Sequence, residues 1–302
     1  MSKQSRKLTP KISVGMPVYN GARYVASAIE SILAQTDPDF ELIIADNAST
    51  DDTVEICQQF ADQDPRIRLH INKENIGAAG NYNLLVELAS APYFRWSNAD
   101  DLIAADSHER CLAALEARPD AVLSYGQTMF IDEHGEETGL VEDTLHIMNA
   151  RPSDRFRAFW ERYRLTNAIY GLMRTEAVRD TNIFGDGTLP AADISFMAEL
   201  ILHGGFTELP ETLFYRRMHP DASSHDRADD ERQQQFWRAS KSPFRLPVLR
   251  QTGRYLRHTW RTAAPLADKF STSVYLMRQL VWQRRAVAQE VADLFKSGTS
   301  EQ

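Results

Sequence analysis

Residues 40–57, with the sequence FELIIADNASTDDTVEIC, carry a strand, a polar turn and the beginning of a helix in succession. Residues 40–45 are apolar apart from Glu41, which is the composition of a strand buried inside a sheet. Residues 46–53 are rich in Asp, Asn, Ser and Thr, which favour turns and helix starts. The pattern therefore predicts a β-strand that leads into a helix within a few residues.

The same unit recurs on both sides of this segment. Strand-like runs lie at 12–16, 67–71 and 92–96, and segments with apolar residues at helical spacing separate them. This alternation predicts an α/β fold with a mostly parallel central sheet that helices cover on both faces. Such sheets bind ligands at the carboxyl ends of their strands. Four polar loops fall at those ends, at residues 19–20, 46–47, 75–81 and 98–101.

The fourth strand ends in two adjacent carboxylates, Asp100 and Asp101. Neighbouring carboxylates repel each other unless a cation neutralises them, and such a pair suits a divalent ion that also holds a substrate diphosphate. The alternative is a surface turn in which one of the two aspartates caps the next helix. The pair by itself does not separate these two interpretations.

Five motifs, taken in their order along the chain, resemble those of family 2 glycosyltransferases, which have the GT-A fold. They are ISVGMPVYN at 12–20, SILAQT at 31–36, FELIIADNASTDDT at 40–53, NIG at 75–77 and NADD at 98–101. The resemblance implies a GT-A catalytic domain over residues 11–224. It also implies transfer of a sugar from a nucleotide-sugar donor to a glycan or lipid-linked acceptor, in the synthesis of surface polysaccharide. The combination is specific for the superfamily but says little about the donor sugar or the acceptor.

The resemblance places a metal site at Asp100, which matches the family's metal-binding carboxylate, and at His219 in the closing segment. The implied cofactor is a divalent cation, Mn²⁺ or Mg²⁺. Asp101 is implied to orient the donor sugar. The family usually has Asp where this chain has Asn98, whose amide keeps an acceptor oxygen but carries no charge, so we expect Asn98→Asp to be tolerated. The alternative for His219 is a loop histidine without a role.

The resemblance also implies a set of donor-binding residues. Asn47 stands where the family often reads the nucleobase with Asp, and its amide oxygen can accept the N–H of uracil, so a UDP-sugar is the expected donor. Arg217 is expected to pair with phosphate oxygens. The alternative for Asn20 and Asn47 is that they are turn residues. The full predicted set is Pro17, Tyr19, Asn20, Asp46, Asn47, Asn75, Gly77, Asn81, Asn98, Asp101 and Arg217.

Asp193 begins an apolar segment of helical periodicity and matches the family's catalytic aspartate. An inverting transfer is a single displacement and needs a base that takes the proton of the acceptor hydroxyl. A carboxylate at a helix N-terminus stays ionised, because the helix dipole lowers its proton affinity. The alternative is a helix cap without a catalytic role, since Asp is common there.

Composition is that of an enzyme with a sizeable core. The chain has 302 residues, 43% of them hydrophobic, with a net charge of −8 that argues against a nucleic-acid partner. Residues 1–7 are basic without an apolar stretch, so we expect no secretory signal, and no apolar run is long enough for a membrane span. Cys57 and Cys111 lie among apolar neighbours, which indicates free thiols in a reducing, cytoplasmic compartment.

The remaining chain divides at about residue 225. Residues 121–126, 128–131 and 167–174 are predicted strands, and 151–164 a helix. Residues 225–302 form a predicted helical extension, and its segment 236–290 holds 11 basic residues against 2 acidic ones, interleaved with aromatics. Such a segment fits docking on an anionic membrane, here the inner face of the plasma membrane. The alternative is a helical appendage packed on the catalytic domain or on a second copy of the chain.

Two other functions stay open at this point. A sugar-nucleotidyltransferase would also use a nucleotide-binding sheet, but it calls for a glycine-rich phosphate loop after the first strand, and residues 17–21 are not one. A catalytically silent protein that binds nucleotide sugars is favoured by Asn47 and Asn98. The retained Asp100 and Asp193 favour an enzyme.

Overall fold

The structure, a computed structural model, describes residues 10–141, 144–187, 191–220 and 246–298. Its centre is a nine-stranded sheet whose strands β3-β2-β1-β4 are parallel. The strands are β1 (Ile12–Val18), β2 (Phe40–Asp46), β3 (Ile67–Ile71) and β4 (Tyr93–Trp96). The helices between them are α1 (Val25–Leu33), α2 (Thr53–Gln63) and α3 (Gly77–Leu88). The predicted alternation of strands and helices is confirmed.

The second half of the sheet is mixed. Its strands are β5 (Leu102–Ile103), β6 (Ala121–Ile131), β7 (Glu137–Val141), β8 (Leu172–Arg174) and β9 (Gly205–Arg217). Strand β8 joins the halves, because it pairs antiparallel with β4 on one side and with β6 on the other. Strand β9 runs parallel to β6 and antiparallel to β5. The carboxyl end of β9 therefore reaches the same edge as the carboxyl ends of β1, β2 and β4.

The remaining helices follow the sheet's second half. They are α4 (Ser107–Ala117), α5 (Pro152–Arg162), a 3₁₀ helix (Asn167–Tyr170), α6 (Thr175–Arg179), α7 (Ala192–Leu200), α8 (Pro247–Arg261), α9 (Leu266–Trp282) and α10 (Arg284–Gly298). Among the residues that the structure describes, no helix combines the length and the apolar character needed to cross a bilayer.

Two strand predictions are wrong in detail. The strands predicted at 121–126 and 128–131 are one strand, β6, which keeps pairing with β9 through irregular register at Gly126 and Gln127. The strand predicted at 167–174 begins as the 3₁₀ helix, which Ile169 N and Gly171 N close by donating to the carbonyls of Thr166 and Ala168. Only its last three residues are extended.

Strand β2 explains why residues 40–46 are so apolar. All seven of its residues are buried, because helices cover both faces of the sheet. The exception in the pattern, Glu41, accepts hydrogen bonds from Ser13 Oγ at 2.7 Å, Ser90 Oγ at 2.7 Å and Arg68 at 2.8 Å. Burial acts to raise the pKa of Glu41, but these hydrogen bonds outweigh it and lower the pKa below its usual value.

The C-terminal helices α8 and α9 pack on α7 and α5. Arg254 of α8 and Glu199 of α7 form a buried ion pair with Nε and Oε1 2.6 Å apart. Tyr255 and Leu276 belong to the same hydrophobic cluster as Phe156 and Phe196. The described part of the extension, residues 246–298, is therefore helical, as predicted. Its predicted start at residue 225 lies outside the described residues, so that boundary stays a prediction.

A substitution at Gly126 tests the close contact between β6 and β9. A Cβ atom at Gly126 would lie 2.5 Å from the carbonyl oxygen of Glu211 and 2.5 Å from Leu213 Cγ. We expect Gly126→Ala to lower the free energy of unfolding by about 1–3 kcal/mol, because the backbone must shift to relieve the clash. Urea unfolding followed by circular dichroism measures this change.

The matched control is Gly139→Ala on the neighbouring strand β7, where a Cβ atom would meet nothing within 4 Å. We expect this variant to unfold within about 0.5 kcal/mol of the wild type. Equal unfolding midpoints for the two variants would contradict the packing described for β6 and β9.

Candidate active site

The loops after β1 and β2 hold each other by side chain to backbone hydrogen bonds. Asn20 N donates to Ser49 Oγ at 2.9 Å, and Asn20 Oδ1 accepts from Thr50 N at 2.8 Å. Asn20 has φ of 51°, a conformation that asparagine tolerates, so its turn role is part of the structure. Tyr19 beside it is half exposed at the sheet edge. Pro17 lies within β1 opposite Ala45.

Asp46, the last residue of β2, is fully buried at this edge. Its Oδ2 accepts a hydrogen bond from Ser49 N at 3.0 Å. Its Oδ1 has no hydrogen-bond partner among the residues that the structure describes. An unpartnered buried carboxylate oxygen is costly, and this one lies in the loop where donor contact is predicted.

The side chains of four asparagines form a hydrogen-bonded cluster after the carboxyl ends of β2 and β3. They are Asn47, Asn72, Asn75 and Asn81. Asn47 Oδ1 accepts from Asn72 Nδ2 at 3.2 Å and from Ile76 N at 3.0 Å, and Asn47 Nδ2 donates to Asn75 Oδ1 at 3.0 Å. Asn81 accepts from Asn72 and donates to the Ala45 carbonyl. The Asn47 oxygen predicted to accept from uracil thus already accepts two hydrogen bonds from the protein. Its nucleobase contact stays a prediction.

Gly77 begins α3 beside this cluster, with φ of 74° and its amide donating to Asn75 Oδ1 at 2.8 Å. Asn72 was not among the predicted site residues. The available signal was its position directly after β3, at the same edge as the other polar loops.

Every polar atom of the Asn98 side chain makes a hydrogen bond. Its Oδ1 accepts from the Tyr82 hydroxyl at 2.6 Å, and its Nδ2 donates to Asp101 Oδ2 at 3.0 Å and to the Tyr170 hydroxyl at 2.8 Å. Neither tyrosine was among the predicted site residues. An aspartate at position 98 would lose both donated hydrogen bonds and place a second carboxylate against Asp101. This geometry contradicts the expectation that Asn98→Asp is tolerated.

The two adjacent aspartates have different environments. Asp101 is buried, and its Oδ1 accepts from Arg217 N at 2.9 Å while Oδ2 accepts from Asn98. Burial, together with the neighbouring Asp100 carboxylate, raises the pKa of Asp101 to about 8. Asp100 has a side chain that is 32% exposed, and its Oδ2 lies 3.1 Å from His219 Nε2.

The helix-cap interpretation of the acidic pair is wrong. The next helix, α4, begins at Ser107, and its N-cap residue is Asp106. Asp100 and Asp101 precede the short strand β5 instead. Helix capping therefore does not explain why two acidic residues occur at this position.

His219 and Arg217 approach Asp100 from the end of β9. The His219 ring packs on Tyr24 with centroids 4.8 Å apart, and the Arg217 guanidinium lies 4.8 Å from the centroid of the same ring. Arg217 Nε donates to the Asp100 carbonyl at 2.9 Å, and Nη1 donates to the Asp132 carbonyl at 3.1 Å. Arg217 thus positions the backbone that carries Asp100. Its predicted phosphate contact stays a prediction, and Tyr24 was not among the predicted site residues.

Asp100 and His219 fit a divalent cation that a substrate helps to hold. A carboxylate oxygen and an imidazole nitrogen are ligands of Mn²⁺, and Mg²⁺ is commonly held by one or two carboxylates plus substrate phosphates. Within the described ranges, no group of three or more His, Cys, Asp or Glu side chains forms a closed site. His219 Nδ1 is buried without a partner among these residues. The donor set therefore suits an open site that diphosphate oxygens or water would complete.

Asp193 lies in the first turn of α7. It is the second residue of α7, after Ala192, so the prediction that it begins the helix is wrong by one residue. Its Oδ2 accepts from Thr166 Oγ1 at 2.9 Å. The 3₁₀ helix follows Thr166 and ends at Tyr170, whose hydroxyl bonds Asn98. No hydrogen bond joins Asp193 to Asp100 or His219 within the described parts of the chain.

Comparison with known proteins agrees with this geometry. The chain is 27% identical over 248 residues to the chondroitin synthase of Escherichia coli, a match that covers 80% of this chain and 34% of that protein. It is 36% identical over 138 residues to an uncharacterized glycosyltransferase of Haemophilus influenzae, covering 46% and 55% of the two chains. The matches thus span between about a third and about half of these relatives.

Solved structures with the same fold include Staphylococcus aureus TarS 1–349 in complex with UDP-GlcNAc, with a TM-score of 0.65 and 15% identity. That match covers 89% of this chain and 72% of the other. The mannosyltransferase PcManGT of Pyrobaculum calidifontis, in complex with GDP-Man and Mn²⁺, has a TM-score of 0.51 and 17% identity over 97% of this chain and 81% of that one. These likenesses confirm the predicted GT-A fold.

The description "Glycosyl transferase family 2" belongs to the sequence family whose profile matches residues 13–177, more than half of the chain. This range contains β1 from its second residue, β2 to β4, the asparagine cluster and the acidic pair. The chain belongs to glycosyl transferase family 2.

Proposed function

We propose that this protein is a metal-dependent, inverting glycosyltransferase that moves a sugar from a UDP-sugar to a saccharide or lipid-linked acceptor in polysaccharide synthesis. The observation that carries the proposal is the pair Asp100 and His219, whose side chains lie 3.1 Å apart where β4 and β9 end at the same edge of the sheet. The Asp100 side chain is 32% exposed, so the pair is accessible from solvent on that side.

The nature of the relatives supports the substrate classes. TarS has been solved with UDP and with UDP-GlcNAc, and the relatives include chondroitin and hyaluronan synthases. PcManGT was solved with GDP-Man and Mn²⁺. A uridine or guanosine nucleotide is thus the expected leaving group, and uridine is our proposal.

Different side chains of the protein would have different roles in the proposed reaction. A divalent cation bound by Asp100 and His219 would offset the negative charge that develops on the leaving diphosphate. Arg217 and Asp101 hold the backbone and the end of β4 so that the Asp100 carboxylate faces outward. Asp193 would take the proton of the acceptor hydroxyl as its oxygen attacks the anomeric carbon and the bond to the diphosphate breaks. Thr166 fixes the orientation of the Asp193 carboxylate.

A catalytically silent binding protein is the less favoured alternative. It was suggested by Asn98, where the family usually has an acid. The Asn98 side chain is turned toward Tyr82, Asp101 and Tyr170, and Asp100 keeps its own contact with His219. The substitution therefore takes nothing away from the Asp100–His219 pair.

The metal proposal is tested by nucleotide binding. We expect UDP to bind the wild type in the presence of Mn²⁺ and to lose at least about tenfold in affinity when the metal is chelated, because diphosphate oxygens complete the cation's ligand set. Asp100→Ala should remove this metal dependence while leaving the fold intact, since its side chain is partly exposed. Isothermal titration calorimetry with UDP and GDP, with and without Mn²⁺, measures both the metal dependence and the choice of base.

Asp106→Ala is the matched control for this experiment. Asp106 is the N-cap residue of α4, and its carboxylate pairs with Arg110 on the surface. It should bind UDP with Mn²⁺ like the wild type. A metal effect of the same size in Asp100→Ala and in the wild type would overturn the assignment of Asp100.

The base is tested by Asp193→Asn, which keeps the size of the side chain. We expect kcat to fall by about 10²–10⁴-fold, the usual contribution of a positioned base, with unchanged donor affinity. Asp154→Asn, the same change at an aspartate in the first turn of α5, is the control and should keep full turnover. A loss of donor affinity as large as the loss of turnover would make Asp193 a binding residue, and a product with retained anomeric configuration by NMR would refute the single displacement.

The Asn98 environment gives a prediction with a pH dependence. The folded-state pKa of Asp101, about 8, lies above the value of about 4 in an unfolded chain. Between these values the folded protein keeps a proton that the unfolded chain releases, so stability falls as pH rises through this window. Asn98→Asp adds a second acid to the same buried site, so it should make the free energy of unfolding fall more steeply as pH rises.

We expect Asn98→Asp to lose about 1–3 kcal/mol of unfolding free energy at neutral pH, because two donated hydrogen bonds disappear. The loss should be larger at pH 8 than at pH 6. Asn20→Asp, which keeps the acceptor oxygen for Thr50, is the control and should change neither the stability nor its slope. Urea unfolding at both pH values measures this difference. A free energy of unfolding that rises with pH in Asn98→Asp would refute the description of the buried Asp101 site.

A further inference from the structure

The outward face of α9 is apolar. Leu266, Phe270, Val274, Met277 and Val281 are 65%, 59%, 57%, 51% and 61% exposed. They recur every three or four residues, so they form one continuous line along the helix, which we call the apolar stripe. A helix of 17 residues is about 25 Å long. Single exposed apolar residues are ordinary, but a contiguous apolar line of this length marks an interaction surface.

The orientation of α9 is fixed by polar contacts on its opposite face. Asp268 is buried and accepts hydrogen bonds from Ser153 Oγ at 2.7 Å and from Arg151 Nε at 3.1 Å. Thr272 and Leu276, one and two turns further along the same face, are also buried. Rotating the helix to hide the apolar stripe would break the Asp268 contacts and expose Leu276. The stripe therefore faces away from the rest of the protein.

Tryptophans mark both ends of the apolar stripe. Trp260, at the end of α8, packs edge-on against Phe270 with ring centroids 5.3 Å apart, and its indole N–H donates to Ser273 Oγ at 3.2 Å. Trp282, the last residue of α9, is 78% exposed. Tryptophan has an apolar body and a polar N–H, and it is enriched where proteins meet the interface of a lipid bilayer.

Basic residues predominate in the part of the extension whose side chains the structure describes. Residues 246–292 contain eight basic residues and two acidic ones. Neither acid is exposed, because Asp268 is buried on the inner face and Glu290 is half-buried and accepts a hydrogen bond from Val248 N at 2.8 Å. The exposed cations among these residues are Arg250, Arg257, Arg261, Arg278, Arg284 and Arg285. This surface is thus positive in a chain whose net charge is −8.

We propose that the apolar stripe docks on an anionic lipid surface, with α9 lying in the plane of the membrane interface. An amphipathic helix binds there by placing its apolar residues at the boundary of headgroups and acyl chains, and flanking arginines add attraction to anionic lipids. The positive charge of this surface favours an anionic lipid surface over a second copy of the chain. A second copy docked through the same face would bring identical arginines together, because a twofold contact is self-complementary.

The proposal is tested on the full chain by cosedimentation with sucrose-loaded vesicles. We expect binding to vesicles of phosphatidylglycerol and phosphatidylcholine, and at least about tenfold weaker binding to phosphatidylcholine alone, because each arginine near an anionic surface increases the partition about fivefold at low salt. Binding to the anionic vesicles should weaken as salt is raised.

Two variants test whether the apolar stripe, and not the protein surface in general, binds the vesicles. Val274→Glu and Met277→Glu each place a carboxylate in the apolar stripe, and each should reduce anionic-vesicle binding by about tenfold or more. Leu140→Glu, on β7, changes an exposed leucine that is 49% accessible and lies outside the stripe, and it should bind like the wild type. Circular dichroism and thermal unfolding confirm that all three variants are folded, independently of any transferase activity.

Three results would overturn the proposal. The first is an absence of vesicle binding, and the second is equal binding to anionic and neutral vesicles. The third is wild-type binding by both Val274→Glu and Met277→Glu. A dimer in analytical ultracentrifugation that Val274→Glu dissociates, without vesicle binding, would show that a second copy covers the stripe instead.

Discussion

Two carboxylates on neighbouring residues cannot share one environment, and the rest of the site depends on how this chain separates them. Asp101 turns inward, where burial raises its pKa and Arg217 N and Asn98 satisfy its two oxygens. The contact with Arg217 joins the end of β4 to the end of β9, which belong to different halves of the sheet. Asp100 can then face outward beside His219, because the inward carboxylate fixes the backbone on which both depend.

Asn98 is the amide that this arrangement needs. A buried carboxyl group surrounded by a second acid would have to keep a proton or repel its neighbour. The amide instead donates to Asp101 and to Tyr170, and Tyr82 satisfies its oxygen. The departure from the family's usual aspartate is thus matched by two tyrosines whose hydroxyls complete the amide's hydrogen bonds. The same tyrosines connect β4 to α3 and to the 3₁₀ helix, so the substitution belongs to the packing of the whole edge.

The sequence predicts the edge of the sheet well and the partners of each side chain poorly. Apolar runs and their spacing locate β1 to β4, and parallel strands bring their carboxyl-end loops together whatever the side chains are. Which atoms remain available to a substrate depends on distances between residues far apart in the chain. Asn47 and Asn81 are examples, because Asn72 engages both of them, and nothing in the local sequence shows that contact.

The C-terminal arginines show why composition alone left two interpretations of the extension. Arg254 faces inward and pairs with Glu199 of α7, while Arg257, one turn later on α8, is exposed. Beside that ion pair, His258 lies 3.0 Å from His203 between their Nε2 atoms, and burial lowers the pKa of His203 to about 4, so a neutral ring can donate to its neighbour. A count of charges adds Arg254 and Arg257 together, although one joins the extension to the helix that carries Asp193 and the other faces solvent. Packing on α7 and the docking proposed for the outer face therefore use different residues of the same helices, and the packing fixes the orientation of that face.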